Sequence, residues 1–295
     1  MDFRWPPPPD GRPDRYRPPV NRGPQTGRPT IPAPPTELVA TPHGVELECL
    51  ATGSGRPVTV LAHGLAGGIV DTRPLGSGLR GRRIFFHFRG HGRSAAPSGR
   101  WTYLDLARDL RAIADLYGAT RALGVSLGAG ALCRLLADNP SRFERAVFLL
   151  PAALDSPRPK AAGQRLADVL AALETEDAAE VADVIAQEAP PAQRNTPAAW
   201  SYLRQRLEQL LRDGLATELT ALTEQAPVSD RAALGEVTAP ALVLACRGDD
   251  LHPVEVAEQL AAALPNATLH VYERPGVLWT ERADLRERIA GFLSG

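Results

Sequence analysis

The chain has few of the residues that build a disulfide framework, a metal site or a membrane span. Only three of its 295 residues are cysteines, at Cys49, Cys133 and Cys246. They are odd in number, lie far apart and form no C-x-x-C pair, so neither a disulfide framework nor a zinc site is expected. No apolar run approaches the ~18 residues of a transmembrane helix. These absences predict a cytoplasmic protein that binds no metal.

A net charge of one sign is also missing. The 33 basic and 34 acidic residues almost cancel, whereas a nucleic-acid binder would show a basic surface. The N-terminus, MDFRWPPPP, has no apolar segment of the kind found in a secretory signal. The sequence has no phosphate-binding loop and no dinucleotide fingerprint, so no cofactor is predicted. The expected partner is a small molecule, with neither nucleic acid nor membrane involved.

Residues 1–36 contain few large apolar side chains and many prolines. Twelve of the 28 prolines lie there, together with six arginines. Such a segment cannot bury enough surface to offset its loss of conformational entropy, so we predict a disordered or polyproline-II tail. A PxxP ligand for an aromatic groove is the functional alternative, with an unknown partner.

Beyond residue 37 the pattern is that of a folded α/β domain. The turn sequence TPHG between two apolar segments predicts a hairpin. Short apolar runs, typical of buried parallel strands, then alternate with helical patterns. Residues 155–236 break this alternation, because they contain only Ala-rich amphipathic helical patterns. We therefore predict a core formed by residues 37–154 and 237–295, with residues 155–236 inserted as a helical cap above the strand ends.

The segment GVSLG, residues 124–128, is the strongest motif in the chain. It matches G-x-S-x-G, with an apolar strand before it and a helical pattern directly after it. In a nucleophile elbow the serine occupies a sharp strand-to-helix turn, and the small glycines allow helix and strand to approach closely. The helix N-terminus also directs free N–H groups towards a developing oxyanion. Ser126 is thus the predicted nucleophile.

Together with three other segments, this motif resembles the α/β-hydrolase fold family from about residue 38 to the end. The segments are LAHGLAGG, FRGHGRS and LACRGDDLHPVEV, in that order around GVSLG. The resemblance implies a mostly parallel sheet with helices on both faces. It also implies an oxyanion hole from the N–H groups of Leu65 and Leu127, beside His63 and Gly64. In the family the acid lies four residues before a proline, so the resemblance implies that Asp249, four residues before Pro253, is the acid.

The family's histidine is missing from its expected place. That histidine follows the last strand, usually after a glycine, but Gly276 is followed here by Val277, and no histidine occurs after His270. A serine hydroxyl is a weak nucleophile without a base that accepts its proton. His252, three residues after Asp249, is the preferred substitute. His87, His91 and the carboxylates Glu273 and Glu281 remain alternatives, and Val277 and Trp279 are expected to make the vacated corner of the substrate site apolar.

Three functions are compatible with these features. The first is a serine hydrolase with an atypical triad, acting on a small, rather apolar ester or thioester. The second is a non-catalytic binding protein that retains the elbow as architecture, which the missing histidine favours. The third is a cofactor-free lyase, isomerase or cyclase that uses the same pocket, because one fold hosts many reactions.

Overall fold

A single eight-stranded sheet forms the centre of the molecule. The computed structural model describes residues 35–295 except 190, 192 and 195. Along the sheet the strand order is β1-β2-β4-β3-β5-β6-β7-β8. The strands are β1 (Glu37–Ala40), β2 (Glu46–Thr52), β3 (Val58–Ala62), β4 (Arg82–Phe86), β5 (Arg121–Val125), β6 (Arg145–Leu149), β7 (Ala241–Cys246) and β8 (Ala267–Tyr272).

Six of these strands run parallel, and the first two form an antiparallel hairpin at one edge. β1 pairs antiparallel with β2, and β2 pairs antiparallel with β4. The pairs from β4 through β3, β5, β6 and β7 to β8 are all parallel. Every residue of β3 and β7 is buried, which explains their continuous apolar sequences. The predicted strands and the hairpin are confirmed.

Helices cover both faces of the sheet, and each face has its own apolar cluster. One cluster includes Phe86, Leu106 and Leu132, and the other includes Leu61, Leu244 and Ile289. Parallel strands require crossover connections, and helices supply most of them. The crossovers contain α1 (Ile69–Gly76), α2 (Tyr103–Leu116), α3 (Leu127–Asp138) and α8 (Val254–Ala263), and α9 (Val277–Thr280) and α10 (Arg282–Ser294) follow the last strand.

The residues between β6 and β7 form helices, with no strand among those described. Short 3-10 helices lie at Thr217–Leu219 and Arg231–Glu236. The α-helices are α4 (Lys160–Glu174), α5 (Ala178–Ala186), α6 (Pro197–Asp213) and α7 (Thr220–Thr223). Helices α4, α5 and α6 share an apolar cluster that includes Val169, Val181 and Leu207. The predicted tail, residues 1–36, lies almost wholly outside the described residues.

Two features of the described residues bear on the predicted partners. None of the helices there is both long and apolar enough to cross a membrane. Within the same residues, no group of three or more His, Cys, Asp and Glu side chains is arranged to hold a metal ion.

Candidate active site

Ser126 occupies a sharp turn between the end of β5 and the start of α3. Its backbone adopts φ 50° and ψ −103°, a strained left-handed conformation for a residue with a side chain. A Cβ atom on Gly124 would collide with the carbonyl oxygen of Gly128, and one on Gly128 would collide with that of Ala62. Only glycine therefore fits on either side of the serine, which is why the sequence has this spacing.

His252 and Asp249 lie in the loop that connects β7 to α8, above the same edge of the sheet. The Nε2 atom of His252 is 3.0 Å from the Oγ of Ser126. Its Nδ1 atom is 2.9 Å from the Oδ2 of Asp249. The two side chains are 17% and 19% exposed, so both are shielded without being cut off from solvent. Serine, histidine and carboxylate thus form one continuous hydrogen-bonded row.

The direction of these hydrogen bonds follows from the chemistry of the carboxylate. An ionised carboxylate only accepts, so the Nδ1–H of His252 donates to Asp249 and leaves a lone pair on Nε2 facing the serine hydroxyl. The N–H of Leu251 donates to the other oxygen of Asp249 at 3.0 Å. Burial alone would raise the pKa of the Asp249 carboxyl, but the hydrogen bond and charge of His252 lower it below its ordinary value.

Leu127 and Leu65, whose backbone N–H groups are predicted to form an oxyanion hole, both lie near the serine. Leu127 is the first residue of α3, so its N–H has no acceptor within the helix. Leu65 follows Gly64 in the loop after β3, and both residues line the cavity that contains Ser126. A Cβ atom on Gly64 would lie 3.4 Å from the Cβ of Ser126, so this loop runs directly beside the nucleophile.

The corner where the family's histidine is expected is filled by an apolar side chain. Val277 starts the short helix α9 and is 1% exposed within the apolar cluster on the α10 side of the sheet. Among the described residues, its neighbours Leu278 and Trp279 line the cavity and Val277 does not. The contribution of Val277 to the substrate site stays a prediction, and Leu278 and Trp279 are the residues of this short helix that line the cavity.

His63 and His91, the histidines of the two glycine-rich loops, form hydrogen bonds with backbone groups and not with Ser126. The Nδ1–H of His63 donates to the carbonyl of Gly64 at 2.7 Å, and its Nε2 accepts the N–H of Phe88 at 3.0 Å. His91 stacks edge-on against His63, with ring centroids 4.6 Å apart. Burial lowers the pKa of His91 to about 3 and that of His63 well below its ordinary value, so both remain neutral.

A cavity of about 560 Å³ opens above Ser126 and His252. Its walls come from the loop after β3, from helices α1, α4, α6, α9 and α10, and from the loop after β7. Most of the lining is apolar. The apolar side chains include Val70, Leu75, Leu150, Leu166, Val169 and Leu278. The cap helices and the sheet core therefore line one shared cavity that is large enough for a small molecule.

The cavity also holds charged residues that sequence reasoning missed. Arg206 of α6 is 4% exposed, and its Nε lies 2.8 Å from the Oε2 of Glu188. Burial and the nearby carboxylates raise the pKa of Tyr202 well above its ordinary value, so its phenol stays protonated. A signal was present: Arg206 falls at helical spacing from Leu203 and Leu210, on a face that should otherwise be apolar. Arg158 is a second buried arginine of this cavity.

Comparison with known proteins agrees with this architecture. The sequence profile of the family described as "alpha/beta hydrolase fold" matches residues 57–276, which is well over half of the chain. The chain belongs to the α/β-hydrolase fold family. Among solved structures, a hydrolase from Pseudomonas aeruginosa PA01 is similar with 26% identity and a TM-score of 0.70, covering 88% of this chain and 98% of the other.

Other members of the α/β-hydrolase fold family are more distant or match less of the chain. The enol-lactonase from Burkholderia xenovorans LB400 has a TM-score of 0.72 at 22% identity, covering 88% of this chain and all of the other, and shares the fold. A 2-hydroxy-6-oxononadienedioate/2-hydroxy-6-oxononatrienedioate hydrolase from Cupriavidus pinatubonensis is 37% identical over 62 residues. That match spans 20% of this chain and 22% of the relative.

Proposed function

We propose that this chain is a serine hydrolase that cleaves a small ester or thioester, with Ser126 as nucleophile, His252 as base and Asp249 as the residue that orients the base. The observation that carries the proposal is the 3.0 Å approach of the His252 Nε2 to the Ser126 Oγ. This is within the range at which a base can take the proton of an attacking hydroxyl. The hydrolases named among the relatives support hydrolysis as the reaction type.

In the first half of the reaction, the Oγ of Ser126 forms a bond to the carbonyl carbon of the substrate. Its proton passes to the Nε2 of His252, and the imidazolium is stabilised by Asp249. The N–H groups of Leu65 and Leu127 donate to the oxygen that becomes negatively charged. When the tetrahedral intermediate collapses, the bond to the alcohol or thiol breaks, and that leaving group takes the proton from His252. The product is an acyl-enzyme on Ser126.

In the second half, water replaces the leaving group. His252, again neutral, accepts a proton from the water as its oxygen attacks the acyl carbon, and the same two N–H groups hold the oxyanion. Collapse of this intermediate breaks the bond to Ser126, whose Oγ recovers the proton from His252. The carboxylic acid product then leaves the cavity, and the enzyme is restored.

A fluorophosphonate probe tests the nucleophile directly, because it bonds covalently only to an activated serine. We expect the full-length protein to be labelled, and the Ser126→Ala variant not to be labelled. Ser156, an exposed serine in the loop before α4, supplies the matched control. Labelling should survive in Ser156→Ala. A wild-type protein that stays unlabelled and hydrolyses no ester would refute the hydrolase and favour the non-catalytic binding protein.

A further inference from the structure

Arg158 lies in the loop between β6 and α4 and lines the cavity that contains Ser126 and His252. The residue is 7% exposed, so its guanidinium has lost most of its contact with bulk water. An arginine side chain keeps its positive charge under all ordinary conditions. A buried charge is normally balanced by an opposite charge or a full set of hydrogen bonds.

That balance is incomplete at Arg158. Its Nε donates to the hydroxyl of Tyr103 at 3.3 Å, which is a neutral acceptor. Its Nη2 is buried and has no hydrogen-bond partner. Within the described part of the chain, no carboxylate forms an ion pair with it, whereas the other buried arginine of the cavity, Arg206, is paired with Glu188. The two arginines therefore differ: one is neutralised by the protein and the other is not.

Basic residues outnumber acidic residues in the lining of the cavity. Arg165 is half-buried, and Arg282 and Arg286 stand exposed at the rim. Two acidic residues, Asp71 and Glu188, are also present in the lining, and Glu188 forms an ion pair with Arg206. The cavity is therefore positive overall, which raises the local concentration of anions.

We infer that Arg158 is a specificity-determining residue that binds a carboxylate carried by the acyl part of the substrate. The planar guanidinium matches a carboxylate in shape and charge, and it donates through more than one N–H. This inference rests on the proposed hydrolase function and specifies its substrate class: a small monoester or monothioester of a dicarboxylic acid. It also amends the expected apolar ligand to one with an apolar chain and a charged end.

Half-esters test the assignment. The 4-nitrophenyl half-esters of glutaric, adipic and pimelic acid are each compared with the neutral analogue in which an amide replaces the free carboxylate. The rate of the Ser126→Ala protein is subtracted as background. For at least one chain length, we expect wild-type kcat/KM to favour the carboxylate by about tenfold or more, as for hydrogen bonds to charged groups.

The variants separate a specific role from a general one. In Arg158→Met the ratio of kcat/KM for each half-ester to kcat/KM for its neutral amide analogue should fall to about one, whatever the absolute rate on the neutral ester. Arg158→Lys should recover part of the preference, because a positive charge remains without the fork geometry. Arg134 on α3 is a partly buried arginine outside the cavity lining, so Arg134→Met should retain the full preference. A preference unchanged in Arg158→Met, or absent from the wild type, overturns the inference.

A binding measurement distinguishes this failure from failure of the hydrolase proposal. Adipate and glutarate are titrated into Ser126→Ala protein with and without Arg158→Met, and the melting temperature is recorded. Binding that depends on Arg158, combined with a wild-type protein that cleaves none of the esters, would leave the carboxylate site standing and refute the hydrolase. Cleavage of neutral esters with no carboxylate preference, and no Arg158-dependent shift, would leave the hydrolase standing and refute the carboxylate site.

Discussion

Two pairs of histidine and carboxylate lie in this molecule with almost the same geometry and different surroundings. His252 Nδ1 is 2.9 Å from Asp249 Oδ2, and His87 Nδ1 is 2.8 Å from Glu48 Oε2. Both histidines were candidate bases on sequence alone. In each pair the carboxylate selects the tautomer with its proton on Nδ1.

The second ring nitrogen separates the two pairs. The Nε2 of His87 accepts the N–H of Ile69 at 3.0 Å, at the start of α1. The side-chain amide of Gln209 from α6 also lies 3.3 Å from this nitrogen. The Nε2 of His252 instead meets the hydroxyl of Ser126. A histidine held by a carboxylate becomes a base for catalysis only when its remaining lone pair faces a reactive group.

The largest effect, a loss of activity, is expected at His252. The His252→Ala variant should lose roughly 10⁴- to 10⁶-fold in kcat, because the serine loses its proton acceptor. Steady-state hydrolysis of a 4-nitrophenyl ester measures the loss. His270, on β8 beside Tyr272, is the matched control, and its alanine variant should stay near wild type. Equal activity in both variants would mean that His252 is not the base.

A smaller effect is expected at His87, on the stability of the protein and not on its reactivity. The His87→Ala variant should reduce the free energy of unfolding by about 2–4 kcal/mol, because it leaves the buried Glu48 carboxylate and the N–H of Ile69 without their partner. Urea denaturation monitored by circular dichroism gives this value. At 25 °C the folded variant should still react with the fluorophosphonate probe. Loss of labelling in a well-folded His87→Ala protein would show that the two histidines do not have separate roles.

The smallest effect is the pH dependence of the stability that Glu48 contributes in the pair with His87. Burial would raise the pKa of Glu48, but its hydrogen bonds with His87, Thr36 and the N–H of Arg93 lower it from the ordinary 4.5 to about 2. A carboxyl whose pKa is lowered on folding stabilises the protein above its unfolded pKa, and this contribution is lost as the pH falls through the folded value. The stability gap between wild type and Glu48→Gln should therefore shrink between about pH 4.5 and 2. Urea midpoints across this range measure it, and a constant gap would contradict the assignment.

Much of the fold could be predicted because it depends on local patterns. Continuous apolar runs predicted the buried parallel strands, and the glycines around Ser126 predicted the strained turn that the structure contains. The placement of His252 was only one of several options, because the sequence cannot give the path of the loop after β7. The structure brings it within hydrogen-bond distance of Ser126, 126 positions away in sequence.

What could not be predicted depends on how helices of the cap pack against the core. Whether Arg206 faces solvent or Glu188 is decided by tertiary contacts between α6 and the segment after α5, and helical spacing alone only marks the position as unusual. The state of Arg158 is a still longer-range property, since an unpaired guanidinium is recognised only when every neighbour in space is known. Charge balance in a cavity is therefore invisible in a linear pattern.

The shared loop of Asp249 and His252 has a consequence for how the molecule tolerates change. The proposed acid and the proposed base are three residues apart in one short loop, so they move together, and a single distance, to Ser126, decides whether the row is complete. With His252 in this loop, the segments beyond Tyr272 do not have to supply a histidine to Ser126. These segments can therefore vary in sequence as long as they complete the cavity wall. Replacing the part that lines the cavity offers a way to change the substrate range while Ser126, His252 and Asp249 keep their positions.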